Sequence, residues 1–440
     1  MKVALIMGNY QKQGYPPMGV LYLAAYLRAN KPTCHIKVYD VFPDITTLSD
    51  EAFDVIGFSC MSIQYPDVSE YAKKLRNFYS GTIVVGGVHI TLTEMLPDWA
   101  DYAIIGEGEQ TLLELIEYLD GNKHMHHIDD ISGIIYCEEG VSHKTNPRAL
   151  FEDLDVLPFP AWDLIDMEPY LVPNNVYGTV IGRGLSLMTS RGCVYRCVYC
   201  SASRMWQKIR FHSAEYVVNM MEHVIKQYRV EHVWIADDHF ALKKSRLYQI
   251  LELMTHREIH LQMGISCRVE SYDHEMAMLL KKLGVRALGL GLETGSDRML
   301  QQIKNGCNVS VAQTCEIVKQ MATDGFQIHG MFMINLPGET VEDLEKTVDF
   351  IHSLPLSKIS VAVATPFYGT EWWDIAVEQE IVPKIPDDDV WRTYNMKTLE
   401  DKRPVFKTEI DREYLKKVYT ELSCYGKELF YFDWQNRAKL

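Results

Sequence analysis

Short apolar runs alternate with amphipathic stretches along the first part of the chain: VALIMG (3–8), GVLYLAAYLR (19–28), HIKVYD (35–40), VIGFSC (55–60), TIVVGG (82–87) and YAIIGE (102–107). Runs of about six β-branched and aliphatic residues, with helical stretches between them, read as buried parallel strands joined by crossover helices. The pattern predicts a doubly wound, Rossmann-like α/β domain over 1–130. Ligands of such folds sit beyond the carboxyl ends of the strands, so the loops at 8–17, 59–66, 86–91 and 106–109 form its candidate binding surface. Over 131–183 the pattern changes to a hairpin (GIIYC, then VSHKTN) and a connection, DLDVLPFPAWDL, whose Pro158 and Pro160 mark a linker.

A second alternating series follows: LSLMTS (185–190), HVWIAD (232–237), QMGISCR (262–268), ALGLGLET (287–294), IHGMFMINL (328–336) and ISVAVATP (359–366). Helical stretches separate these runs; over 214–229, Val217, Met221, Val224, Ile225 and Tyr228 share one face. Six β/α units predict a partial (β/α)6 barrel over 184–375, with its site at the strand carboxyl ends. Residues 376–440 read as a small helical region covering the barrel. There Trp391, Tyr394, Tyr431, Phe432 and Trp434 either select the substrate or simply pack a core.

Charge narrows the partners. Lys+Arg 44 against Asp+Glu 59 leaves a net charge of −15, which argues against nucleic acid as the main partner. No apolar run approaches the roughly 18–20 residues of a membrane span, and the start reads as a strand rather than an export signal, so a cytoplasmic protein is expected. Ten cysteines in a reducing compartment are not a disulfide framework, and seven of them (Cys34, Cys60, Cys137, Cys267, Cys307, Cys315, Cys424) are scattered.

The other three are not. Cys193, Cys197 and Cys200 stand as C-x3-C-x2-C in SRGCVYRCVYCSAS, directly after the first strand of the second series. Thiolates this close on a loop can ligate three irons of a [4Fe–4S] cube and leave the fourth open. Arg191 and Arg196 beside them are expected to lower the thiol pKa values and offset cluster charge. A zinc site and buried, inert cysteines are the alternatives.

The loop resembles that of the radical S-adenosylmethionine (SAM) superfamily, whose cluster cleaves SAM reductively at its open iron. In that family an aromatic residue precedes the third cysteine and lies near the adenine; Tyr199 holds that place. Asp237, Asp238 and Phe240 end the second strand, Arg268 the third, and Glu293, Thr294 and Gly295 the fourth, while Pro337, Gly338 and Glu339 follow the fifth. The resemblance implies SAM contacts from Tyr199, Asp237, Arg268, Glu293, Gly295 and Pro337. Glu293 and Arg268 would hold the amino and carboxylate ends of SAM or its ribose, and the Pro337 turn would bring backbone near the adenine. Taken alone, an acidic strand end such as Asp237 reads as well as a solvated loop or helix cap.

Domain order and the DLDVLPFP joint resemble the cobalamin-binding branch of the same superfamily over residues 1–375. The resemblance implies cobalamin contacts from Met18, Gly19, Ser59, Met61, Ser62, Gly86, Gly87, His89, Thr91, Gly106, Glu107 and Gly108, where small residues let backbone approach a flat macrocycle. Read alone, Gly-rich turns occur in any doubly wound fold, and a lone histidine such as His89 is more often a hydrogen-bonded loop residue. The loop over 9–15 lacks the histidine that many cobalamin proteins place below the cobalt, so no such ligand is expected from it. Together these features imply an enzyme with a [4Fe–4S] cluster, SAM and cobalamin, methylating an unactivated carbon of a small-molecule or lipid-like substrate. An external donor such as flavodoxin or ferredoxin would supply electrons. Radical cyclisation, oxidation or rearrangement is the second reading, and a cobalamin-dependent sensor the reading outside the enzymes; the cysteine triplet speaks against the sensor. A methylthiotransferase would need a second cluster, for which Cys34, Cys60 and Cys137 are too widely separated.

Overall fold

The computed structural model describes the chain except residues 12–13, 122–126, 172–181, 207, 305–307, 395–398, 400–402, 404 and 438–440, and except the side chains of 394, 428 and 430–437. Two compact units emerge: Met1–Pro169 with Ile385–Met396, and Tyr170–Lys384 with Lys397–Leu440.

In the first unit β1 (Lys2–Met7), β2 (His35–Tyr39), β3 (Val55–Ser59), β4 (Thr82–Gly86) and β5 (Tyr102–Ile104) alternate with α1 (Met18–Asn30), α2 (Ile45–Asp50), α3 (Tyr65–Arg76), α4 (Val88–Thr93) and α5 (Gly108–Leu119). The sheet runs β2-β1-β3-β4-β5, all parallel. Val3, Ala4, Ile6, Val55, Ile56, Ile83 and Val85 are buried, as strands covered on both faces require. The order reverses between β1 and β3, which opens a crevice at their carboxyl ends. The expected hairpin, β6 (Ile134–Glu138) and β7 (Val141–Lys144), does not stand apart as a linker: β6 pairs antiparallel with β5 and extends this sheet.

The second unit contains β8 (Gly184–Leu187), the short antiparallel pair β9 (Ser190–Arg191) and β10 (Arg210–Phe211), then β11 (His232–Ile235), β12 (Gln262–Cys267), β13 (Val285–Glu293), β14 (Gln327–Ile334) and β15 (Lys358–Val363). Six of these form one parallel sheet in the order β15-β14-β13-β12-β11-β8, a half barrel whose edge strands β8 and β15 do not meet. Its helices are α6 (Ala202–Met205), α7 (Ala214–Tyr228), α8 (Lys244–His256), α9 (His274–Leu283), α10 (Asp297–Ile303), α11 (Val311–Thr323), α12 (Val341–Ser353) and α13 (Glu371–Glu378). Ser213, Asp273, Ser296, Ser310 and Thr340 cap α7, α9, α10, α11 and α12 by accepting backbone N–H bonds, so these helices begin where side chains satisfy their orphan donors.

The carboxyl-terminal stretch does not stay together. Of its helices α14 (Asp388–Tyr394) and α15 (Arg412–Arg437), the first belongs to the first unit and the second packs along β15. Among the described residues no helix is long and apolar enough to cross a membrane.

Candidate active site

The cysteine loop leaves β9 at Gly192, whose φ of +96° and lack of a side chain are both required, since a Cβ there would lie 2.6 Å from the Lys208 carbonyl oxygen. Val198, buried, ties the loop to α10 by donating its N–H to the Ile303 carbonyl at 3.1 Å. Cys200 N–H donates to the Cys197 carbonyl at 3.1 Å, and Ser203 Oγ to the Cys200 carbonyl at 2.7 Å. All three thiols are free and half-buried. Burial pushes them up, while backbone N–H groups of Tyr195 on Cys193, and of Ser203 and Ala202 on Cys200, favour the thiolate.

The cations that bear most on Cys197 are Arg268 and Lys304. Arg268 Nη1 points at Cys197 Sγ from 3.9 Å, whereas Arg196 donates to the Ser203 carbonyl at 2.5 Å. Three free thiols on one short loop, with backbone donors and two cations beside them, fit a cluster held by three thiolates. Among the described residues no three His, Cys, Asp or Glu side chains gather round a point suited to a single ion.

Around this loop the strand ends sort into two groups. Tyr199 and Glu293 meet directly, the phenol donating to Oε1 at 2.8 Å. A break in register between β13 and β14 re-aims Glu293, which sits at φ +70° and is buried. Gly291 makes room for its carboxylate, since a Cβ there would lie 2.4 Å from Oε1. Burial raises the Glu293 pKa, opposed by Lys304, Tyr199 and Arg268. Lys304, which the sequence patterns missed, is itself buried and donates to the Gly291 carbonyl.

Four of the expected SAM contacts also have partners within the protein. Asp237 is spent within the protein: it accepts from Thr189 N at 2.6 Å, Thr189 Oγ1 at 2.5 Å and Ser190 N at 3.0 Å. Gly295 is set by packing, since a Cβ would lie 2.3 Å from the Lys346 carbonyl on α12, and its N–H goes to Thr347 Oγ1. Pro337 is buried in a turn closed by Glu339 N–H to the Leu336 carbonyl at 2.9 Å, with Gly338 at φ +74°, the type II form. The Arg268 fork is engaged by Glu270, and its guanidinium lies 3.7 Å over the Tyr195 ring.

Below these strand ends the half barrel is open. In a closed barrel side chains fill the interior in layers. Here Gly264 and Gly289 carry none, and the Trp234 ring lies over both, 2.2 and 3.4 Å from where Cβ atoms would be. Ser266, Gly291, Met331 and Met333 on the inner face are half-buried, and Ser360 and Ala362 are exposed, while their outer alternates Ile265, Leu290 and Phe332 are buried. Trp234 thus takes the space on the inner face that side chains at 264 and 289 would fill.

On the first unit, Met18, Ser59, Met61, Gly86, Gly87, Thr91, Gly106 and Gly108 are half-buried and Gly19 is exposed at the carboxyl edge of the sheet. Three candidates there are engaged within the protein. Ser62 is buried, with Oγ 3.2 Å from His89 Nδ1. His89 is 2% exposed, its ring stacked on Tyr65 at 4.0 Å and met edge-on by Trp391 at 4.9 Å; burial lowers its pKa to about 3. Glu107 is buried and accepts from Phe151 N at 3.0 Å. Of the aromatic residues expected over the barrel, Trp391 lies in the first unit, and the side chains of Tyr394, Tyr431, Phe432 and Trp434 fall outside those described.

Comparison with known proteins agrees with this geometry. The family model of the radical SAM superfamily matches residues 187–351, and that of the B12 binding domain residues 5–116. An uncharacterized methyltransferase of Pyrococcus horikoshii is 29% identical over 417 residues, covering 92% of this chain and 87% of its own. The anaerobic magnesium-protoporphyrin IX monomethyl ester cyclase of Rubrivivax gelatinosus is 26% identical over 391 residues, covering 83% and 68%. Among solved structures, the radical SAM methyltransferase TsrM from Kitasatospora setae, with cobalamin and a [4Fe–4S] cluster bound, superposes with a TM-score of 0.70 at 17% identity, covering 95% of this chain and 81% of its own.

Proposed function

The chain belongs to the cobalamin-binding radical SAM superfamily, and from that premise we propose a cobalamin-dependent methyltransferase acting on an unactivated carbon of a small-molecule substrate. The observation that carries the reading is the free thiol triplet beside the Tyr199–Glu293 pair, at the mouth of an open half barrel. When bound, the cluster supplies the electron that cleaves SAM and cobalamin supplies a methyl carrier. The protein supplies charge balance and exclusion of water. Arg268 and Lys304 offset the thiolates; Glu293, steadied by Tyr199, presents a carboxylate suited to the ammonium or ribose hydroxyls of SAM; Trp234 packs the inner face of the strands over Gly264 and Gly289. Flavodoxin or ferredoxin is the class of electron donor such a site needs, and the cytoplasm the compartment that keeps its thiols reduced.

The test is anaerobic reconstitution with iron, sulfide and cobalamin, then incubation with dithionite, an anaerobic cell extract and SAM carrying a deuterated methyl group. Methylation yields both 5′-deoxyadenosine and S-adenosylhomocysteine, with label in an extract component. Deoxyadenosine without S-adenosylhomocysteine would favour the second reading, radical cyclisation, which the likeness to the cyclase supports. Neither product would overturn both.

A further inference from the structure

The carboxyl edge of the first unit is held by a residue from the far end of the chain. Among the loops of that edge, the one after β3 is tied to those after β1 and β4. Met61 N–H donates to Gln64 Oε1 at 2.8 Å, and Gln64 Nε2 to Asn9 Oδ1, after β1, at 2.5 Å. Toward β4, Cys60 N–H donates to the Gly86 carbonyl and His89 N–H to the Cys60 carbonyl, both at 3.2 Å. The side-chain tie between Ser62 and His89 completes the set, and it holds only while the imidazole keeps its orientation.

That orientation is fixed from two sides. Tyr65 covers one face of the ring and Trp391 abuts it edge-on. Trp391 is 2% exposed, and α14, which carries it, is fastened to α3: Ser69 Oγ donates to Asp388 Oδ2 at 3.0 Å, and Arg392 stands 3.7 Å from Glu70. Without the indole, water reaches a ring that burial keeps neutral, and the imidazole gains room to turn from Ser62.

We infer that Trp391 is a positioning residue of the cobalamin site, acting through His89 and Ser62 on the loop Ser59, Met61 and Ser62. The inference rests on the functional reading that this edge holds cobalamin. It makes α14 part of the cobalamin-binding unit, although the chain places it after the half barrel.

The test is spectrophotometric titration of the full-length, cluster-loaded protein with hydroxocobalamin, using W391A, W391F and D388A. In each variant, dithionite-driven SAM cleavage without cobalamin serves as the folding control for the second unit. W391A is expected to weaken cobalamin binding about tenfold or more, equivalent to at least about 1.4 kcal/mol, with W391F restoring most of it. D388A, which loosens α14 without opening a cavity, is expected to weaken it about threefold. Wild-type affinity in W391A or in D388A, or W391F no better than W391A, overturns the inference alone. Wild-type protein that takes up no cobalamin overturns the functional reading, and the inference with it.

Discussion

Replacing Asp237 separates a residue that holds the site from one that touches SAM. The carboxylate receives two backbone N–H groups and one hydroxyl from Thr189 and Ser190, both buried, and lies in the field of Arg246. Arg246 in turn donates to the Thr189 carbonyl at 2.9 Å and the His212 carbonyl at 3.0 Å, so its charge stays in place when Asp237 goes. In Asp237→Ala two buried N–H groups lose their acceptor, at about 1–3 kcal/mol each, and a buried guanidinium loses its counter-charge. The carboxylate's own desolvation is relieved in return, which places the net loss at about 4 kcal/mol, within the range for breaking a buried pair. Asp237→Asn keeps the oxygen that accepts both N–H groups and sets its amide N–H against the Thr189 hydroxyl, which turns to accept, so the loss is mainly the charge facing Arg246, about 1–2 kcal/mol. Anaerobic urea unfolding, followed through cluster absorbance, measures the stability; equilibrium dialysis measures SAM affinity in the folded fraction. Both variants are expected to lose stability and keep their SAM affinity within about threefold. Wild-type stability with SAM binding weakened about a hundredfold would refute the assignment.

Three further outcomes are expected. Cys197→Ala should abolish SAM cleavage and leave cobalamin uptake intact; loss of both would show that the first unit depends on the cluster. Gly19→Leu, where a Cβ meets nothing within 4 Å, should weaken cobalamin binding in a folded protein, whereas Gly87→Leu should damage the fold, because a Cβ there lies 2.7 Å from the Cys60 carbonyl oxygen; circular dichroism of the two variants separates the effects. Burial pushes Glu339 up to about 8, above its ordinary unfolded value, so the folded state keeps a proton that the unfolded chain releases. Its stabilising contribution is therefore full below the unfolded pKa and falls by about 1.4 kcal/mol per pH unit until about pH 8, and Glu339→Gln should flatten that part of the stability profile.

The strands and the cysteine loop were legible in the sequence because both are local signals. A parallel strand buried on both faces is an unbroken apolar run, and three ligands on one loop are a spacing. Glu293 was legible as a strand end, though not the register break that aims it. The partners of Asp237 were not legible, because they are backbone donors of Thr189 and Ser190, brought near only by the pairing of β8 with β11. His89 and Ser62 sit among small residues that read as a groove, and nothing between 1 and 169 discloses that Trp391 covers them.

The cations at the cysteine loop show what a reading along the chain leaves out in this architecture. Arg191 and Arg196 flank the thiols in the chain, so a reading along the sequence assigns them the charge balance. In a parallel half barrel, however, the carboxyl end of one strand faces the ends of other strands, each supplied by a different β/α unit. The largest cationic contributions at Cys197 accordingly come from Arg268, beyond β12, and from Lys304, at the end of α10. Lys304 also reaches the Gly291 carbonyl beneath Glu293. One buried lysine thus serves the thiol and the strained strand end together, and Lys304→Met would disturb both, whereas Arg196→Ala, at an exposed side chain, would leave the thiols in nearly their present field.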